Sequence, residues 1–102
     1  MAWQCDYYYL GVVRRRVLVR GRVQGVWFRQ SCADQARQVG AGGWVRNRGD
    51  GLVEAVFEGS ESAVAAMVGW CHHGPSRAEV SDVTVSSEPE EGLLNFRVIG
   101  GD

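Results

Sequence analysis

The stretch Gly21-Arg22-Val23-Gln24-Gly25-Val26-Trp27-Phe28-Arg29 carries residue types able to grip a tetrahedral anion. It follows an alternating run and precedes a helical one, so it is read as a strand-to-helix loop. A helix start exposes backbone N–H groups that have no internal partner, and the helix dipole adds partial positive charge there. Gly21 and Gly25 let successive amides turn toward one point. Arg29, in the first helical turn, can reach the same point with a guanidinium that binds two phosphate oxygens at once. A plainer reading makes the stretch a tight connection with a surface arginine. Either way it lacks the Lys-Ser/Thr ending of a nucleotide triphosphatase loop.

A second group is Gly43-Trp44-Val45-Arg46-Asn47, followed by Asp50-Gly51. Asn47 falls near a strand end. Its carboxamide can hold a water, accepting one hydrogen and donating elsewhere. It can equally cap the hairpin turn, as Asn often does. Both uses stand on the residue type alone.

The elements that must position these residues follow from periodicity. Arg16 to Val23 alternates, with Val17 and Val19 on one face and Arg16, Leu18, Arg20 and Arg22 on the other. That is a half-buried strand with Leu18 as its misfit. Phe28, Cys32, Ala36 and Val39 recur at helical spacing, and Gly40, Gly42 and Gly43 are expected to stop that helix and begin a turn. Trp44 to Arg48 and Leu52 to Glu58 read as a hairpin around Gly49-Asp50-Gly51. Ser60 is the expected N-cap of a second helix carrying Val64, Met67, Val68 and Cys71 on one face, ended by Gly74-Pro75. Val80 to Ser86 alternates again. Glu88 to Gly92, including Glu90 and Glu91, reads as a solvated turn, and Leu94, Phe96 and Val98 form a last strand.

The order strand, helix, strand, strand, helix, strand, strand predicts an α+β fold. Its form is the ferredoxin-like split βαβ sandwich, an antiparallel sheet of four to five strands with both helices on one face. There the first two strands end on the same side, so Asn47 can approach the loop. Residues 1–13 show no clear periodicity and are read as an extension of uncertain order, with one domain over residues 14–102.

Composition narrows the function classes. The chain has 102 residues, 45% hydrophobic, which suits one globular domain. Its net charge is only −1, and all eleven basic residues are Arg. Nine of them stand in residues 1–51 against three acids, while residues 52–102 hold two against nine acids. Arg suits phosphate better than Lys does, so the asymmetry hints at an anionic partner for the first half. Cys5, Cys32 and Cys71 form neither a CxxC pair nor a zinc pattern, and are expected as reduced thiols in a cytoplasmic protein. Cys32 has no His companion, which argues against a cysteine phosphatase. His72-His73 lacks a third ligand nearby and is expected to stabilise a helix C-terminus instead. Tyr7-Tyr8-Tyr9 with Arg14-Arg15-Arg16 does not match an RNA-binding strand motif, so no nucleic-acid partner is expected. No apolar run is long enough for a membrane span, and Met1 to Val13 does not read as a signal peptide.

GRVQGVWFR and GWVRNRGDG resemble the two signature segments of the acylphosphatase family, in the family's order and spacing. The likeness runs from about Arg16 to Ile99 and includes Gly74-Pro75 and the Ala78-x-Val80 strand start. Small Ala41-Gly42, where the family is usually bulkier, and the extra residues 1–13 depart from the pattern. The resemblance implies that Arg29 and the amides of Gln24, Gly25, Val26, Trp27 and Phe28 bind the substrate phosphate, and that Asn47 positions the attacking water. It implies a small acyl phosphate as substrate, carboxylate and inorganic phosphate as products, no metal or cofactor, and a monomer. The competing class is a non-catalytic phosphate- or acyl-phosphate-sensing module on the same scaffold. The acylphosphatase-like portion of carbamoyl-transfer maturation proteins fits less well, because those are much longer and carry zinc-binding cysteine motifs.

Overall fold

The computed structural model describes residues 12–100. Cys5, Tyr7-Tyr8-Tyr9 and most of the N-terminal extension lie outside them. Seven elements follow in order: β1 (Val13–Arg22), α1 (Phe28–Val39), β2 (Gly42–Asn47), β3 (Val53–Gly59), α2 (Glu61–Cys71), β4 (Glu79–Ser87) and β5 (Phe96–Val98). The strands form one sheet in the order β4-β1-β3-β2-β5. Pairing is antiparallel except at the edge, where β5 runs parallel to β2, so the split βαβ sandwich has a mixed sheet.

The helices supply one layer and the sheet the other. Val17 and Val19 of β1 are fully buried, as the alternation requires, and pack in one core with Phe28, Cys32, Ala33 and Ala36 of α1 and Ala63, Val64, Met67 and Cys71 of α2. Val39 and Val68, expected on the apolar faces, are only partly buried at the margin of that core. Ser60 caps α2 as its residue type predicts, its hydroxyl accepting from the Ala63 amide at 3.1 Å.

Two expectations about boundaries are corrected. Gly40 alone caps α1, in the left-handed conformation at φ 82°, whereas Gly42 and Gly43 begin β2. Close approach explains them: a Cβ on Gly42 would lie 2.1 Å from the Leu93 carbonyl oxygen, and one on Gly43 1.8 Å from that of Val56. The small residues before Trp44 therefore let neighbouring chain pass. The last strand is also shorter than the alternation suggests. Leu94 is 89% exposed, and only Phe96–Val98 pairs, anchored by Phe96 stacked on Phe57 at 5.6 Å.

The sheet face away from the helices holds the charges. The β1–β3 register sets Arg14 opposite Glu58, and Arg14 Nη1 donates to Glu58 at 3.2 Å with both residues almost fully buried. Arg16 bridges Glu54 and Glu88, and Arg46 donates to Glu54 at 2.8 Å. Glu88 is thus no solvated turn residue, since Arg14 and Arg16 both reach it. Part of the uneven charge along the chain is matched in cross-strand pairs between its halves, through Arg14, Arg16 and Arg46.

Burial works against the Glu58 charge, but the Glu91 and Gly92 amides and Arg14 outweigh it and hold the carboxyl below its ordinary value of 4.5. A carboxyl depressed by folding stabilises fully above its unfolded value and loses that contribution as pH falls through the folded one. Melting temperature should therefore drop as pH is lowered below about 4.5, and Glu58→Gln should flatten that drop. Thermal melts followed by circular dichroism across the acid range check this.

Candidate active site

The loop between β1 and α1 is built to leave donors free. Trp27 is the N-cap of α1, yet no side chain caps the helix and its first turn holds no acidic residue. The positive end of the helix is therefore uncompensated by the chain itself. Gly25 at φ 75° and Trp27 at φ 67° both lie in the left-handed region, the kind of backbone that turns amides into a concave anion nest. Trp27 is the one non-glycine residue in that region among the described residues. For a side-chain-bearing residue this costs about 1 to 2 kcal/mol.

Phe28 fixes where the helix begins. Its ring is buried and meets Trp70 of α2 edge-on at 5.1 Å. Gly74 also lies against it, since a Cβ there would come within 2.6 Å of the Phe28 ring. With Phe28 clamped, Arg29 follows as the second residue of the helix, half-buried at its open end. Arg14, Arg16, Arg37, Arg46 and Arg48 are all engaged by carboxylates. No carboxylate among the described residues engages Arg29.

Asn47 closes the other side. It is the last residue of β2, paired in register with Val53. The hairpin is capped instead by Asp50, whose carboxylate accepts from the Leu52 amide at 3.2 Å and bridges Arg48 at 2.8 Å. Asn47 is thereby released from the capping role its residue type allows. Its Oδ1 is buried and has no hydrogen-bond partner among the described residues. Such an acceptor costs about 1 to 3 kcal/mol where nothing compensates it.

These parts meet in one cleft of about 350 Å³, lined by Val23, Gly25, Trp27, Phe28, Arg29, Gln30 and Asn47. Of the residues expected at the phosphate, Gln24 and Val26 do not line it. Val26 is buried and borders a separate hollow with Arg22, Gly25 and Arg77. Gln24 does something the sequence reading missed. Its side-chain amide donates to the carbonyls of Arg48 at 2.8 Å and Leu52 at 2.9 Å, tying the anion loop to the hairpin that carries Asn47. A lone polar side chain between Val23 and Gly25 was the available signal, but its partners lie 24 and 28 residues away.

The other reactive groups are accounted for structurally. Burial pushes the Cys32 thiol well up, with Cys71 beside it, so it supplies no ready thiolate. His72 Nδ1 meets the Val68 carbonyl at 2.9 Å at the end of α2. No group of three or more His, Cys, Asp or Glu among the described residues is placed to hold a metal. No described helix is long and apolar enough to cross a membrane.

The family model for acylphosphatase matches residues 15–98. An acylphosphatase of Trichormus variabilis is 56% identical over 87 residues, covering 85% of this chain and 86% of that protein. One of Thermococcus kodakarensis is 51% identical over 88 residues, covering 86% of this chain and 97% of that protein. Among solved structures, an acylphosphatase from Coxiella burnetii superposes with a TM-score of 0.84 at 35% identity, covering 87% of this chain and 94% of that one.

Proposed function

Because this chain belongs to the acylphosphatase family, enzymes that hydrolyse carboxyl-phosphate anhydrides to carboxylate and inorganic phosphate, we propose that it does so with Arg29 as the phosphate grip and Asn47 as the holder of the attacking water. The observation that carries this reading is the buried, unpartnered Asn47 Oδ1 in the same cleft as Arg29.

The phosphoryl group sits at the open end of α1, its oxygens bound by the guanidinium and by the amides of Gly25, Trp27 and Phe28. Charge that builds on those oxygens meets donors already aimed at them, which is where such a site gains most of its rate. Asn47 Oδ1 accepts one hydrogen of a water and so turns an oxygen lone pair toward phosphorus. The water oxygen bonds to phosphorus as the bond from phosphorus to the acyl oxygen breaks, and that electron pair leaves on the carboxylate. A carboxylate departs readily and needs no acid. The water proton passes to a phosphoryl oxygen, since neither Arg29 nor Asn47 is a base at neutral pH. Holding water and phosphoryl group in line converts a bimolecular encounter into a positioned one. The reading extends to a monomer acting in the cytoplasm, with no metal, nucleic acid or membrane involved.

Benzoyl phosphate hydrolysis in the presence of a chelator tests it. Turnover undiminished by chelation is expected. Binding of inorganic phosphate without turnover would instead mark a sensing module.

A further inference from the structure

The phosphate grip leaves the side chain of Trp27 unexplained. Its backbone occupies a conformation that Gly25 adopts in the same loop, so glycine would serve the turn without strain. Its indole is 69% exposed and adds little to the core. Yet Trp27 is among the residues that line the cleft that holds Arg29 and Asn47. The other large apolar wall residues, Val23 and Phe28, are each 1% exposed and present almost no free surface. A residue of the cleft wall thus carries a broad, exposed aromatic side chain on a backbone that disfavours it.

An acyl phosphate has two ends of different chemistry. The phosphoryl end matches the guanidinium and amides, and the acyl end must meet the remaining free surface of the cleft. We propose that Trp27 is the residue that selects the acyl group, stacking on flat, apolar acyl groups, aryl ones foremost, and favouring them over short aliphatic ones. This rests on the acylphosphatase reading and names the substrate class within it. Covering an exposed indole removes apolar area from water, and ring-on-ring contact adds to that.

The test compares kcat/KM for benzoyl phosphate with that for acetyl phosphate, in the unsubstituted chain, in Trp27→Gly and in Trp27→Phe. Glycine suits the left-handed backbone, and any effect of substitution on the loop acts through the shared phosphate and cancels in the ratio. The benzoyl preference should fall about tenfold in Trp27→Gly and stay within about threefold of the original in Trp27→Phe. An unchanged ratio in Trp27→Gly overturns this inference and leaves hydrolysis standing. Failure of the unsubstituted chain to hydrolyse either compound overturns the activity reading, and the acyl selection with it.

Discussion

Arg29→Ala should lower kcat/KM for an acyl phosphate by about 10³- to 10⁵-fold, the range a transition-state guanidinium supplies in phosphoryl transfer. Loss of this size follows from position: the group sits in the first turn of α1, at a helix end that no acid or cap neutralises. Inorganic phosphate should lose its competitive inhibition at the same time, because product and substrate share the grip. Folding should be nearly untouched, since no described carboxylate holds Arg29 and truncating it leaves no partner stranded. Arg29→Lys should recover little, as charge returns without the fork that spans two oxygens. Steady-state kinetics with phosphate as inhibitor, beside a thermal melt, measure all of this. Normal phosphate inhibition of Arg29→Ala would remove the assigned role.

For Asn47→Ala the expected loss is about 10²- to 10³-fold in kcat, comparable to deleting one well-placed polar group at a reacting centre. Here the split between constants is informative. The water is positioned only for the chemical step, so KM and phosphate inhibition should move far less than kcat. Stability gives an independent readout. Asn47 lines the cleft rather than the core, so truncating its carboxamide should leave the melting temperature nearly unchanged. An inactive variant that melts no earlier than its parent is the signature of a group kept for chemistry, whereas wild-type kcat would end the water-holding assignment.

How much of this was legible in the chain depended on the range of the forces involved. α1 reads correctly from Phe28 to Val39 because its apolar spacing and the glycine that stops it are all local. Ser60 is recognisable for the same reason. Glu88 is not, because its partner Arg14 stands 74 residues away and only the β1–β4 pairing brings them together. The excess of Arg in the first half is divided on the same ground: Arg14, Arg16 and Arg46 meet acids of the second half across the sheet, which the order of residues along the chain does not show. Leu94 follows the alternating pattern yet points to solvent, since the chain before β5 crosses over Gly42 instead of pairing.

Within the site, Arg29 and Asn47 were visible through two motifs of matching order and spacing, and both line one cleft. Which of Asn47 and Asp50 caps the hairpin could not be read from residue type, because both favour that use. The answer lay in which carboxylate or carboxamide the Leu52 amide actually meets.

Both hydrogens of a single side-chain nitrogen on Gln24 are spent across the base of the Arg48–Leu52 turn. The loop that leads into Arg29 and the hairpin that carries Asn47 are thereby tied to one another like two jaws of one vice. On the proposed roles of Arg29 and Asn47, that tie sets the distance between the two before the anhydride arrives.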